Sequence, residues 1–175
     1  MYLTVFAILA LLGAFLQLVL KRERTTRRIT EIVLLYWFAI AIGASGIFAF
    51  AGHTFRADQV AAGIGWPAGN PFQQEVAFAD LALGVLGLAC IAIRENFWTA
   101  TAVATAVMYW GDALGHAYQL LHYGNHHPGN AGTVLWGTIA VPAVTIALLL
   151  WRARVLRDDA SRDRARVGIP QAHDS

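Results

Sequence analysis

At 175 residues, 57% hydrophobic and 14% charged, with a mean hydropathy of +0.51, the chain is too apolar for a soluble domain, in which about a quarter of residues are charged. Its net charge of +2 does not make a nucleic-acid surface, because the basic residues punctuate apolar stretches instead of covering one polar face; no nucleic-acid partner is expected. The single cysteine, Cys90, lies inside an apolar run, which excludes an intrachain disulfide and leaves the redox compartment open.

A membrane-crossing helix takes about 20 apolar residues. Backbone groups in lipid must bond within their own segment, which selects helices. Five stretches qualify: residues 2–20, 30–52, 71–93, 97–123 and 131–151. The expected fold class is therefore all-α, a polytopic bundle of five transmembrane helices in contact with the lipid bilayer. Residues 1–152 form the membrane domain, and residues 153–175 a charged cytoplasmic tail that starts helical and gives way to disorder. The first stretch has no basic run before it, and it exceeds the roughly 7–15 apolar residues of a secretion signal. It reads as a helix that stays in the membrane.

Basic residues set the orientation. Lys21, Arg22, Arg24, Arg27 and Arg28 follow the first segment, Arg94 follows the third, and Arg152, Arg154, Arg157, Arg162, Arg164 and Arg166 follow the fifth. Of the 13 Lys and Arg, only Arg56 falls in the other set of loops. The basic side is expected to be cytoplasmic, with the N-terminus out and the C-terminus in.

The long outer loop, HTFRADQVAAGIGWPAGNPF, ends in a helix-start signal. Asn70 caps, Pro71 takes the first helical position, and Gln73 is placed to reach back. The second outer loop, YGNHHPGNAG, carries His126 and His127 between helix breakers. Five of the six histidines, His53, His116, His122, His126 and His127, fall at or near this outer face; His173 is in the tail.

The third and fourth segments carry polar groups that lipid would not tolerate. In the fourth, Tyr109, Asp112, His116, Gln119 and Tyr123 recur at steps of three and four, so they form one stripe on a helix. In the third, Gln73 and Asp80 share a face, while Glu75 lies roughly 140° around from Asp80. A rise of about 1.5 Å per residue puts Asp80 and Asp112 each roughly 10 Å below the outer surface, with Glu75 and His116 roughly 3 Å below it. The short link between the two segments makes contact between their stripes the expectation. No Lys or Arg lies in the interior of any segment. A bare carboxylate in a low dielectric is costly, and the usual resolution is a proton, a shared proton or a bound cation.

The expected proton or cation site is thus Glu75, Asp80, Asp112 and His116. Asn70, Gln73, Tyr109 and Gln119 support it, and His53, His122, His126 and His127 stand at the entrance. Three readings stay open. The first is a path or site for protons, cations or a small solute. The second is a centre for a divalent metal (Zn, Fe or Mn) held by Asp80, Asp112, His116 and Glu75 in a membrane oxidoreductase or one of its subunits. The third is a hydrogen-bond network in a non-catalytic accessory subunit. Five helices are few for a transporter, so a homo-oligomer or a partner membrane subunit is expected. No GxGxxG, P-loop, GxSxG, HExxH or CxxCH motif is present.

WGDALGHAYQ and GNPFQQEVAFADLALGVLG resemble signature stretches of an uncharacterised family of small bacterial multi-helix membrane proteins. The resemblance covers the third to fifth segments and implies a multi-pass protein of the bacterial cytoplasmic membrane, with its activity open. More distantly the chain resembles the DoxX-like membrane proteins, four-helix bundles of which some are associated with quinone-linked oxidation. This chain has an extra segment, and no DoxX functional residue can be matched to it.

Overall fold

The computed structural model describes residues 2–23 and 25–167. Their regular structure is helical throughout: α1 (Tyr2–Lys21), α2 (Thr26–Phe55), α3 (Ala57–Ile64), α4 (Phe72–Ala89), α5 (Asn96–Tyr123), α6 (Pro128–Ala131) and α7 (Thr133–Val167). Four of them, α1, α2, α4 and the α6–α7 stretch, are long and apolar enough to cross a membrane. At 28 residues α5 has the length, but its polar stripe makes it less apolar than those four. Opposite that stripe, Val107, Leu114 and Leu121 recur every seven residues and are 73–79% exposed, which is an apolar face turned away from the protein.

Small residues decide which helices meet. α4 packs along α2 through Gly84 and Gly87 against Gly43 and Gly46. A Cβ on Gly46 would stand 2.7 Å from the Asp80 carbonyl oxygen, and one on Gly87 would stand 2.5 Å from the Gly43 nitrogen. The two backbones therefore touch directly. The middle of α2, Trp37–Ala44, is wound as a π-helix, and its wide turns lie against this glycine seam. α5 packs chiefly on α7 and only sparsely on α4. The stripes of α4 and α5 thus do not interlock as expected; they face each other across a space. The sequence also underrated the first outer loop, which holds α3, closed by Gly65 in the left-handed region (φ 83°). α7 runs through Pro142 and on into the tail as far as Val167. The end of the tail, with His173, lies outside the described residues.

Phe38, Leu34, Ile42, Cys90 and Trp98 form the centre of the core. Trp37 Nε1 donates to Thr145 Oγ1 at 2.8 Å, and Thr145 donates on to the Val141 carbonyl at 2.7 Å, which ties α2 to α7. Glu31 is more enclosed than a solvated acid: it pairs with Arg27 and Arg28, each at 3.4 Å, and its side chain is 15% exposed.

At the end of the bundle that carries most of the basic residues, Arg152 grips Glu95 through two nitrogens, at 2.7 and 3.1 Å. The hydrogen-bonded Arg152 guanidinium holds the Glu95 carboxyl below the usual carboxylate range, with smaller contributions from Arg27 and Arg94. The basic residues of three separate segments therefore gather at one end. Glu95 also sits at φ 58°, ψ −116°, a backbone state that costs a non-glycine residue about 1–3 kcal/mol. Glu95→Gly is accordingly expected to melt higher than Glu95→Ala by about 1 kcal/mol or more, because both lose the ion pair but only glycine is free of the strain. The pair itself contributes less than about 1 kcal/mol, since Glu95 is largely exposed. That contribution is present above the unfolded carboxyl value of about 4.3 and fades as pH falls through the lower folded value. Melting curves of the three proteins between pH 3 and 7 check both points.

Candidate functional site

The end of the bundle opposite Glu95 and Arg152 encloses a cavity of about 560 Å³. Its walls come from the first turn of α1, the last turns of α2, α3, the start of α4, the outer half of α5, α6 and the start of α7. Asp80, Asp112, His53, His116, Gln73 and Tyr109 are among its lining residues, and among the described residues no Lys or Arg lines it. Two carboxylates on different helices thus share one space, and Asp112 lies within electrostatic reach of Asp80.

The glycine seam puts Asp80 where it is. Its backbone is pressed on Gly46, which carries the side chain, only 7% exposed, toward the last turns of α2. There His53 Nε2 lies 3.8 Å from Asp80 Oδ2, while His53 Nδ1 is bonded to Gln73 Oε1 at 2.7 Å. With the amide oxygen as acceptor, Nδ1 carries a hydrogen, and the second ring nitrogen faces the carboxyl. One proton shared between Nε2 and the carboxyl makes this contact attractive; with none, a lone pair would face an anion. Gln73, 3% exposed, is the group that orients the ring.

His116, one turn beyond Asp112 on α5, is set by a different residue. Asn130 on α6 is fully buried. Its amide nitrogen donates to the His116 carbonyl at 3.1 Å and to the Asn125 carbonyl at 2.9 Å. Those two bonds fix the amide orientation, so Asn130 Oδ1 accepts from His116 Nδ1 at 2.8 Å. The neutral ring then keeps Nε2 as an acceptor, in a residue that lines the cavity. Asn125 extends the clamp, since its side-chain nitrogen donates to the Ile64 carbonyl at 2.9 Å. Gly129 lies close against the Gly63 backbone. The α6 turn is thereby sewn to both α5 and α3.

The residues singled out from sequence divide plainly. Asp80, Asp112, His116, Gln73 and Tyr109 come together. His53, expected at the entrance, sits inside against Asp80. His127 lines the cavity at its rim and packs on Gly65. Glu75 is exposed and takes no part in the lining, as its angular offset from Asp80 allowed. Gln119 is half-buried and outside the lining, and Asn70, His122 and His126 are exposed and outside it as well. His122 stacks on Tyr118 with ring centroids 4.1 Å apart. α4 starts at Phe72 with Pro71, not Asn70, in the cap position; Asn70 Oδ1 accepts from the Phe72 N–H at 2.9 Å just ahead of it, and Gln73 bonds to His53 in place of reaching back.

Among the described residues no three His, Cys, Asp or Glu side chains converge as a metal-binding group would, so the Zn, Fe or Mn centre drawn from Asp80, Asp112, His116 and Glu75 finds no support. Sequence reasoning missed Asn130, Asn125 and Trp66. Each sits in a Gly- and Pro-rich loop, where Asn reads as a turn former; only the run of breakers packed round two asparagines hinted at more.

A family model described as a family of unknown function, DUF6790, matches residues 1–158. The chain belongs to that family, and the match extends well beyond the third to fifth segments. No curated protein matches the chain. No solved structure matches it either, so the more distant likeness to DoxX-like proteins is carried by none of these comparisons.

Proposed function

We propose that this member of a family of unknown function is a five-span membrane protein whose outer half binds protons or cations in the course of handling a small solute. One observation carries the reading: Asp80, paired with His53, and Asp112 line one cavity that no Lys or Arg among the described residues lines. The pair of acids is balanced only by histidines or by a positive species from outside. The exposed apolar face of α5 favours counting it as the fifth span, beside the four that are apolar enough by composition. The gathering of Arg27, Arg94 and Arg152 round Glu95 favours a cytoplasmic position for that end. The N-terminus is then outside, the C-terminal tail inside, and the cavity opens to the outer face of a bacterial cytoplasmic membrane. A homo-oligomer or a partner membrane subunit completes the assembly, given so few helices.

The test is proton and potassium flux in liposomes. Asp80→Asn keeps the shape of the side chain and removes its charge. It is expected to cut cation or proton flux at least tenfold relative to wild type; equal flux in a folded variant would overturn the reading.

A further inference from the structure

We propose that the occupant of the cavity is a small organic cation with an apolar or aromatic body, seated with its charge at Asp80 and Asp112. The inference rests on the reading of the cavity as a cation site and narrows it to a substrate class.

Three observations carry it. The first is size: about 560 Å³ is far more than an inorganic ion fills, and falls in the range of roughly 300–1,000 Å³ that suits small organic ligands. Among the described residues no three His, Cys, Asp or Glu side chains converge into a ligand shell, as a dehydrated metal ion requires.

The second is the wall. Tyr2, Phe48, Trp66, Phe72 and Tyr109 line the same space as the two acids. Ring faces attract a diffuse organic ammonium strongly, and their hydrocarbon accepts an apolar body. A hydrated alkali ion gains little from either. Tyr2 and Tyr109 both lie within electrostatic reach of Asp80 and Asp112, so charge and rings are close enough to act on one ligand.

The third is a donor at the mouth. Trp66 Nε1, in the outer loop, is buried without a hydrogen-bond partner among the described residues, its ring tilted against Phe72 with centroids 5.8 Å apart. A buried donor left unpaired is costly. Tyr109, 2% exposed and one turn deeper on α5 than Asp112, has Ser45 beside its hydroxyl. The mouth thus offers a hydrogen bond above the negative charge, and an ammonium compound that also carries a hydroxyl, ether or carbonyl oxygen matches that order.

Binding of benzyltrimethylammonium to the full-length purified protein tests this, measured by calorimetry beside potassium and the uncharged isostere neopentylbenzene. Saturable binding at least tenfold tighter than that of neopentylbenzene is expected. Asp80→Asn should weaken it at least tenfold. Trp66→Leu should weaken it about 3- to 30-fold and Trp66→Phe far less, because a ring is kept. Each variant is matched to wild type in helical content and melting temperature; if Asp80→Asn does not fold, Asp112→Asn supplies the charge comparison. Equal binding of neopentylbenzene would overturn the inference. So would absent binding of benzyltrimethylammonium beside Asp80-dependent proton or potassium flux, an outcome that leaves the cation site standing. Loss of both binding and Asp80-dependent flux would overturn the two together.

Discussion

Gly87→Leu is expected to prevent the bundle from assembling. A Cβ at this position would lie 2.5 Å from the Gly43 nitrogen, 2.7 Å from the Gly43 Cα and 2.7 Å from the Phe38 carbonyl oxygen. Those are backbone atoms, so no side chain can swing aside. Relief requires α4 to move off α2, and that seam is the most intimate helix contact in the protein. Ordinary overpacking costs about 1–3 kcal/mol when side chains can adjust; a branched side chain driven into a facing backbone exceeds that. Expression with loss of the cooperative melting transition, or failure to recover folded protein in detergent, is the expected result. Leucine at Gly111, where an added Cβ meets nothing within 4 Å, is the control, and it should fold. If Gly87→Leu melts within a few degrees of wild type, the seam is not the element that positions Asp80.

Asn130→Ala should destabilise the protein by about 2–4 kcal/mol. The substitution leaves the His116 and Asn125 carbonyls without their side-chain donor and His116 Nδ1 without its acceptor. A buried polar group left unpaired costs about 1–3 kcal/mol. Some of this is recovered, because the loop can open to water once its clamp is gone. Asn130→Asp separates the roles: it keeps an acceptor for His116 but has no nitrogen to donate to the two carbonyls, so most of the loss should remain. Denaturant melts in detergent give the comparison. A change below about 0.5 kcal/mol in Asn130→Ala would show that the outer turn is not held by this residue.

Much of the architecture was legible because lipid and hydrogen bonding leave few alternatives. Apolar length marked the helices. The polar stripe on α5 and the acid at Asp80 located the cavity. Three things were not legible, each for a physical reason. The short Arg94–Asn96 link implied that α4 and α5 pack together, yet loop length limits only the separation of helix ends. Side-chain volume chose the partners: Gly84 and Gly87 drew α4 onto α2, and α5 went to α7. His53 lies 27 residues before Asp80, near the end of α2, where a histidine reads as a solvated end residue. Only the α2–α4 contact turns it inward, against Gln73 and Asp80. Glu75 and Asp80 were both placed in the expected site, although their angular offset already separated them, and the structure leaves Glu75 exposed and Asp80 buried. The asparagine clamp depended on a tertiary fold of α6 back on α5, which no local pattern encodes.

On the function proposed above, Asp80 and Asp112 serve the cavity by their charge and are not needed to hold the helices together. The most direct measurement is cation-driven and pH-driven flux in liposomes for the double variant Asp80→Asn/Asp112→Asn, read beside its melting temperature. A variant that melts within a few degrees of wild type and falls to the flux of empty liposomes is the predicted result. Undiminished flux in that folded protein would contradict the account.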